Sequence, residues 1–259
     1  MSKSLGLCIS EATKYIKKKE PDALLVLGDR FEILGVVQSA KILNIPIFHI
    51  SGGDTSLGSL DNTFRDIITI CSSFHFPKLP EHAKKIMRLG INKKNIFVTG
   101  SLSIENFYFY KKSKKKNIFS IVGQEINKPI AMVCFHPVTK IHNKFDNDIK
   151  ELFSAIKAFR DIFFIFTASN QDPLGVSFNK KIKGFTSNNI QNTKYIPNLG
   201  VENYFNLLSK SIFMIGNSSS GVLESALFKI PSVNIRPRQD GRLKNSNVID
   251  CFNFKSFFN

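Results

Sequence analysis

The sequence has 259 residues, of which 42% are hydrophobic and 22% are charged, a composition typical of a globular protein. This length is enough for one large domain or two modest ones. The formal net charge of +16 would attract polyanions such as nucleic acid, an anionic membrane or phosphorylated metabolites. Much of the excess is lysine in short clusters, and no nucleic-acid motif with interleaved aromatic residues occurs. We therefore interpret the charge as general compositional bias and expect no nucleic-acid partner.

The four cysteines and the hydropathy pattern indicate a reducing compartment. Cys8, Cys71, Cys134 and Cys251 lie far apart in the chain, and no pair has zinc-site or redox spacing. Cys134 lies inside an apolar run and is predicted to be a core residue. The chain has no N-terminal apolar segment of signal type and no long apolar span. We therefore predict a cytoplasmic protein that binds no metal and contacts no membrane.

In the first half, apolar periodicity predicts helices that alternate with short apolar strands. The predicted elements are a helix at 5–19, a strand at 23–27, a helix at 31–43, a strand at 45–50, a helix at 61–70 capped by Asp61, a strand at 74–76, a helix at 81–89, a strand at 95–98 and a helix at 102–110. The continuous apolar run 23–27 is typical of a strand buried on both faces of a parallel sheet. This alternation predicts a parallel α/β domain.

A lysine- and asparagine-rich stretch at 111–128 is the predicted linker, and a second α/β series follows it. The predicted elements of this series are a strand at 129–135, a helix at 146–159, strands at 162–167 and 193–196, a helix at 201–209, a strand at 212–215, a helix that begins at 222 and a strand at 231–235. The stretch 169–192 is polar and poorly periodic, and the pattern fades after Arg236. We therefore predict an α/β protein with domains at 1–110 and 129–259.

A stretch of small residues, 216–221, connects the strand at 212–215 to the helix that begins at 222. Such a junction leaves backbone N–H groups free, and these groups together with the helix dipole favour a phosphate. The alternative is a serine-rich helix N-cap, which is common at junctions of this kind. The glycine spacing is neither the dinucleotide-binding pattern nor the P-loop pattern. Both interpretations therefore remain open on spacing alone.

Polar side chains follow the predicted strands in both halves. Asp29, Asp54 and His136 each come shortly after a strand, as do the serines at 218–220. In doubly wound sheets, ligands bind beyond the carboxyl ends of the strands. These residues therefore predict a ligand-binding cleft.

Five short motifs in the sequence, which include these residues, occur in the order found in one enzyme family. They are Gly28-Asp29-Arg30-Phe31-Glu32, His49-Ile50-Ser51-Gly52-Gly53-Asp54, Asp61 with Arg65, His136-Pro137-Val138-Thr139, and Gly216-Asn217-Ser218-Ser219-Ser220-Gly221-Val222-Leu223-Glu224. Together they resemble the UDP-N-acetylglucosamine 2-epimerase family. The GDR and HPVT forms resemble its hydrolysing branch, which acts in the synthesis of sialic and related nonulosonic acids.

The resemblance implies two Rossmann-like, doubly wound domains of glycosyltransferase-B type that bind a nucleotide sugar and use no cofactor. It implies an elimination followed by a hydration, which release UDP and a free 2-epimer such as N-acetylmannosamine. The implied catalytic residues are Asp29, Asp54, Asp61, Arg65 and His136. The implied nucleotide-binding residues are Ser218, Ser219, Ser220, Gly221, Glu224 and Arg242. Because the family is often oligomeric, a homo-oligomer is implied as well.

Each implied role has a structural alternative. Asp29 is either the acid/base carboxylate or a helix N-cap. Asp61 and Arg65, four residues apart on one helix face, are either a catalytic carboxylate oriented by an arginine or a surface ion pair. His136 either transfers a proton or binds phosphate, because histidine titrates near neutrality, or it is structural. Glu224 either accepts ribose hydroxyls or interacts with the helix dipole.

The chain also departs from the family pattern. Many family members have glutamate where Ser51 stands, so the third carboxylate is absent or has moved to Asp54. Arg242 either binds phosphate or lies in a solvated loop. Met1 falls within what would be a helical region of the family, so we expect an incomplete first domain and a chain truncated at both ends. The alternative functions are a non-hydrolysing epimerase, a glycosyltransferase of the same architecture, an inactive fragment or a basic binding protein.

Overall fold

The computed structural model describes residues 2–57, 60–137, 145–169, 173–235 and 237–251. The chain divides into two compact units, unit 1 at Met1–Ser101 and unit 2 at Leu102–Asn259. The boundary lies before the predicted one at 110. The predicted linker at 111–128 belongs to unit 2, where it contains a short helix, and is not a separate connection.

Unit 1 is a parallel α/β unit. Its elements are α1 (Ser2–Lys19), β1 (Leu24–Leu27), α2 (Phe31–Ile42), β2 (Ile47–Ile50), α3 (Asp61–Cys71), β3 (Phe74–Phe76) and α4 (Pro80–Arg88). The three strands form one parallel sheet in the order β1-β2-β3. The strand predicted at 95–98 is instead a 3-10 turn, Lys93–Asn95, followed by a single parallel bridge between Ile96 and His75.

The sheet of unit 1 buries one face. Val26 and Ile47 are 5% and 0% exposed, and they pack with side chains of α1, α2 and α3 in one apolar core. Side chains alternate along a strand, so Leu25 and Leu27 lie on the opposite face, where they are 66% and 53% exposed. The prediction that this strand is buried on both faces was wrong, because the core helices of unit 1 pack on the same face.

Unit 2 contains the remaining elements. They are α5 (Leu102–Lys112), α6 (Ile118–Val122), β4 (Ile130–Cys134), α7 (Phe145–Ala158), β5 (Phe163–Phe166), α8 (Pro173–Ser187), β6 (Thr193–Tyr195), α9 (Gly200–Leu208), β7 (Ser211–Gly216), α10 (Glu224–Leu227), β8 (Ser232–Ile235) and β9 (Val248–Cys251). The helix α8 in the polar stretch and the strand β9 after Arg236 were not predicted from the sequence. The helix α10 begins two residues later than predicted.

The sheet of unit 2 is wholly parallel, in the order β6-β5-β4-β7-β8-β9. Ala131 and Val133 of β4 pack against α7 and α8, whereas Ile130 and Met132 pack against α6 and α9. The sheet is therefore covered on both faces, as the doubly wound prediction requires. The strand order is that of a Rossmann fold, and it reverses between β4 and β7. Ligands of such folds bind where the order reverses, beyond the carboxyl ends of these two strands.

Candidate active site

The serine loop, residues 216–221, leaves the carboxyl end of β7. Gly216 has φ of +147°, and a Cβ built on it would lie 2.0 Å from the carbonyl oxygen of Cys134. Only glycine fits there, because any side chain would collide with the neighbouring strand β4. The loop therefore starts with its backbone pressed against β4.

The side chain of Asn217 ties the serine loop to the end of β4. Its Oδ1 accepts a hydrogen bond from the backbone N–H of His136, and its Nδ2 donates to the carbonyl oxygen of the same residue, each at 2.7 Å. The carbonyl oxygen of Asn217 in turn accepts hydrogen bonds from Arg238 at 3.1 Å and Gln239 at 2.8 Å. These contacts hold His136 and the serines at the reversal point of the sheet.

The sequence predicts a helix dipole behind the serine loop. The loop instead contains a 3-10 turn at Ser219–Gly221, and α10 begins only at Glu224 and has four residues. So short a helix contributes little dipole. An anion at this loop would be bound mainly by serine hydroxyls and by backbone N–H groups. The loop contains its own cap, since the Ser218 hydroxyl accepts from the backbone N–H of Ser220 at 3.4 Å.

A cavity of about 430 Å³ lies over the carboxyl ends of β4, β5 and β7, within unit 2, and we call it the unit 2 pocket. Cavities of this size hold small ligands. Leu199 and Val201 contribute apolar lining. The polar lining includes Ser103, His136, Thr167, Ser218, Ser220 and Glu224. Ser219, Gly221 and Arg242, which were predicted to bind the nucleotide, are not among the described lining residues.

Glu224 lines the pocket, and one oxygen of its carboxylate has no hydrogen-bond partner among the described residues. Its Oε1 accepts a hydrogen bond from the hydroxyl of Ser103 at 2.6 Å. Its Oε2 is buried and has no hydrogen-bond partner among the described residues. A buried carboxylate oxygen without a partner is unfavourable, so a ligand that supplies hydroxyl donors is favoured here. The Ser103 contact was not foreseen, because it joins residues far apart in the sequence.

His136 is neutral in this structure. Burial, and then the guanidinium of Arg238, lower the pKa of His136 from 6.5 to about 3. Its Nδ1 is 3.2 Å from Oγ of Ser169, and its Nε2 is 3.9 Å from Sγ of Cys134. The ring can therefore contribute a hydrogen bond at pH 7 but no positive charge. An unperturbed histidine titrates near neutrality, and burial moves the pKa of His136 away from that range. Val138 and Thr139 of the same motif lie outside the described residues.

In unit 1, Asp29 and Arg65 form an ion pair. Arg65 lies on α3 and is 2% exposed, whereas the side chain of Asp29, which follows β1, is 25% exposed. Arg65 also donates to the carbonyl oxygen of Asp54 at 2.9 Å and to the hydroxyl of Ser56 at 3.2 Å. The N-cap of α2 is Arg30, so Asp29 is not that cap. A buried arginine therefore orients one oxygen of a partly exposed carboxylate.

The predicted pairing of Asp61 with Arg65 changes in the structure. Arg65 was expected to form a pair on its own helix, either catalytic or at the surface. It is instead buried, and its ion pair joins it to Asp29, 36 residues earlier. Asp61 is the first residue of α3, whose N-cap is Leu60. Asp61 therefore does not cap the helix.

Asp54 lies in an ion-pair cluster. Its carboxylate is 3.3 Å from Nζ of Lys78 and 3.7 Å from Nε2 of His82, and it accepts from the backbone N–H of Thr55 at 2.7 Å. Its carbonyl oxygen accepts from Lys85 at 3.2 Å. Asp54 is 5% exposed. This geometry suits a structural carboxylate better than a catalytic base.

His49, for which the sequence predicted no role, lies beside the backbone that leads to Asp29. It is fully buried, and its Nε2 is 3.0 Å from the carbonyl oxygen of Gly28, directly before Asp29. Its Nδ1 is 3.3 Å from the hydroxyl of Thr69. Burial chiefly lowers the pKa of His49 to about 4, so at pH 7 the neutral ring can donate to Gly28. The signal in the sequence that could have identified it is a histidine at a core-facing position of the strand predicted at 45–50.

The described part of the chain contains no helix that combines the length and the apolar character needed to cross a bilayer. It also contains no group of three or more His, Cys, Asp or Glu side chains arranged to hold a metal ion.

The sheet and the pocket at its reversal point define a parallel α/β protein with a Rossmann-like second unit. Comparison with known proteins gives the family. The model of the UDP-N-acetylglucosamine 2-epimerase family matches residues 1–256. The chain belongs to this family.

Similar proteins include an enzyme named as hydrolyzing and a protein named for polysialic acid biosynthesis. The chain is 33% identical to the GDP/UDP-N,N'-diacetylbacillosamine 2-epimerase (hydrolyzing) of Campylobacter jejuni, over 96% of this chain and 65% of the relative. It is 33% identical to the polysialic acid biosynthesis protein P7 of Escherichia coli, over 95% of this chain and 63% of that protein. The chain therefore spans just under two thirds of the length of these relatives.

Solved structures confirm the glycosyltransferase-B type of fold. A Methanocaldococcus jannaschii UDP-GlcNAc 2-epimerase in complex with UDP-GlcNAc and UDP gives a TM-score of 0.78 at 18% identity, over 98% of this chain and 71% of that one. The UDP-N-acetylglucosamine 2-epimerase of Rickettsia bellii gives 0.76 at 20% identity, over 100% and 68%. At such low identity, the likeness shows the fold alone.

Proposed function

We propose that this chain is a hydrolysing nucleotide-sugar 2-epimerase. The observation that carries the proposal is the unit 2 pocket, where the serine hydroxyls and the Glu224 oxygen without a partner lie together at the reversal point of a Rossmann-like sheet. Family membership favours a 2-epimerase reaction, and the Campylobacter jejuni relative, whose name includes "hydrolyzing", favours the hydrolysing form of it.

The proposed reaction has two stages. A base removes the proton from C2 of the sugar, the bond from C1 to the phosphate oxygen breaks, and the nucleoside diphosphate leaves with the electron pair. Water then adds across the resulting glycal, placing hydroxyl on C1 and a proton on the opposite face of C2. The products are the nucleoside diphosphate and a free sugar epimerised at C2.

Asp29 is the proposed base. The C2 proton is weakly acidic, so the base must be held close to it in a fixed orientation. The ion pair with Arg65 supplies the orientation, and the 25% exposure of Asp29 leaves it accessible. Arg65 acts through Asp29. Asp61 stays a candidate proton donor for the second stage, whereas Asp54 contributes through its ion pairs to the shape of the loop.

The unit 2 pocket is the proposed nucleotide site. Ser218 and Ser220 would donate hydrogen bonds to the diphosphate, and His136 would add one from a neutral ring. Fixed donors of this kind stabilise the charge that develops on a leaving group. Glu224 would accept from the ribose hydroxyls. Arg242, predicted to contact phosphate, is proposed instead to support the neighbouring loop.

This proposal does not specify which sugar and which nucleobase the substrate carries. Campylobacter jejuni provides a relative named for GDP- or UDP-linked diacetylbacillosamine, and Neisseria meningitidis provides one named for UDP-N-acetylglucosamine at 26% identity. UDP-N-acetylglucosamine and the two diacetylbacillosamine nucleotides are therefore the substrates to test. Cytoplasmic location and homo-oligomerisation stay predictions.

The test is incubation of the chain with each of these three substrates in deuterated water. We expect release of the nucleoside diphosphate together with a free 2-epimer that carries deuterium at C2, detected by NMR. A nucleotide-linked epimer would indicate a non-hydrolysing enzyme, and release only in the presence of an acceptor would indicate a transferase. UDP binding measured in parallel separates loss of the pocket from loss of the chemistry. Binding without turnover of any substrate would overturn the epimerase assignment.

A further inference from the structure

Tyr204 lies beneath the serine loop but belongs to none of the motifs that identify the family. It stands on α9, and its ring packs against the apolar core of unit 2 that includes Leu207 and Met214. Its hydroxyl reaches the unit 2 pocket, where it forms a hydrogen bond with the hydroxyl of Ser220. Among the described residues, the Tyr204 hydroxyl also donates to Sδ of Met214 at 3.7 Å. A thioether sulfur is a weak acceptor, so this contact competes little with the one to Ser220.

The tyrosine hydroxyl keeps its proton at neutral pH. Burial, followed by the neighbouring Cys134, raises the pKa of Tyr204 well above its usual value. A phenol has one proton to donate, and a serine hydroxyl has one proton and two lone pairs. If Tyr204 donates to Ser220, the serine proton is left for a third group. Ser220 lines the pocket, so a ligand bound there is in a position to accept that proton.

We propose that Tyr204 is a positioning residue that makes Ser220 a hydrogen-bond donor to the diphosphate of the bound nucleotide. This inference rests on the proposed nucleotide site. A bound anion selects the orientation in which Tyr204 donates to Ser220 and Ser220 donates to the anion. Chains of hydrogen bonds polarise one another, so the phenol strengthens the contact made by the serine.

The test is Tyr204→Phe, which keeps the ring and removes only the hydroxyl. We expect the Kd for UDP to rise roughly three- to tenfold, as is typical when one hydrogen bond is lost. Uridine lacks the phosphates, so its Kd should stay within about twofold of the unmodified chain. A residue that merely supports the core would move both affinities together. The readout is UDP binding by calorimetry and uridine binding by ligand-observed NMR.

Two further variants complete the test. In Ser220→Ala we expect a similar loss for UDP alone, and adding Tyr204→Phe to it should cause little further loss, because the two act through one contact. The matched control is Tyr110→Phe, since the hydroxyl of Tyr110 contacts that of Ser209 at 2.9 Å and Tyr110 is not among the described residues that line the pocket. This control should bind UDP normally.

The outcomes separate this inference from the proposed function. If the unmodified chain does not bind UDP, the proposed nucleotide site is wrong and this inference fails with it. If the chain binds UDP and Tyr204→Phe binds equally well, the inference alone is overturned. It is overturned too if Tyr204→Phe loses UDP and uridine in equal measure, or if the effects of the two substitutions add.

Discussion

At the scale of single residues, two carboxylates share one arrangement. In Asp29 a buried arginine binds one oxygen, and in Glu224 the hydroxyl of Ser103 does so at 2.6 Å. A donor on one oxygen fixes the plane of the carboxylate and leaves the other oxygen for a ligand. The donor is charged beside the proposed base and neutral beside the proposed ribose acceptor.

Replacing Asp29 by Asn should stop turnover and spare nucleotide binding. Loss of a general base lowers rates by about 10²- to 10⁴-fold, so we expect release of the nucleoside diphosphate to fall by that factor. The Kd for UDP should not change, because Asp29 is not among the described lining residues of the unit 2 pocket. Calorimetry and an assay of UDP release measure the two quantities. Equal loss of both would show that Asp29 acts on the fold, and a melting curve would confirm it.

Replacing Glu224 by Gln, in contrast, should weaken nucleotide binding. A hydrogen bond to a charged group contributes about 1.5–3 kcal/mol, so the Kd for UDP should rise on the order of 10- to 100-fold. The matched control is Glu202→Gln, because Glu202 forms an ion pair with Lys116 at 3.3 Å and is 46% exposed. Such surface pairs contribute little. Similar UDP binding by Glu224→Gln and the control would contradict the assigned role.

At the scale of elements, the proposed nucleotide site depends on how closely β4 and β7 approach each other. Gly216 ends β7 against the carbonyl oxygen of Cys134, and Asn217 then binds both backbone groups of His136. The pocket is therefore built from backbone positions that the sheet itself determines. The parallel pairing of β4 with β7 brings together two loops that lie about eighty residues apart in the chain.

Substituting Gly216 by Ala should destabilise unit 2 and remove UDP binding. The new Cβ would lie 2.0 Å from a backbone oxygen at a φ of +147°, so we expect a loss of about 3 kcal/mol or more in the free energy of unfolding. The control is Gly184→Ala in α8, where nothing lies within 4 Å of the added Cβ. There we expect a gain of about 0.5–1 kcal/mol. Denaturant titration compares the two, and equal stability would refute the close approach.

At the scale of the whole molecule, buried histidines link stability to pH. Burial chiefly lowers the pKa of His49 and His75 from 6.5 to about 4, and that of His136 to about 3. Between pH 6.5 and these lowered pKa values, the unfolded chain therefore binds more protons than the folded chain. The stability contributed by the neutral rings is fully present above pH 6.5 and is lost as the pH falls through 4.

We therefore expect the free energy of unfolding to drop steadily between pH 6.5 and 4. Each buried histidine contributes on the order of 3 kcal/mol to this drop. In His75→Phe, which replaces a fully buried ring, the drop should be smaller by about that amount. Urea titrations at several pH values measure it. An unchanged slope in the variant would show that His75 is protonated in the folded chain without penalty.

Much of the fold was predictable because it follows from local pattern. The strands of the unit 2 sheet that are continuous apolar runs were found, since burial on both faces requires such runs. The helix α8 was missed although Phe178, Ile182 and Phe185 have helical spacing, because lysines and a glycine lie between them. The strand β9 was missed because it has only four residues and lies at the sheet edge, where it pairs with β8.

The sequence by itself determined the family, the parallel α/β class and the order of the motifs, because these depend on residue types along the chain. Only the tertiary structure decided which partner each charged group has. Arg65 pairs with Asp29 rather than on its own helix, and Asp54 is bound by Lys78 and lies 3.7 Å from His82. It also decided that His136 is neutral, because burial, which no local pattern states, outweighs the intrinsic pKa. Charges and hydrogen bonds act through space, so their partners become known only when distant elements are brought together.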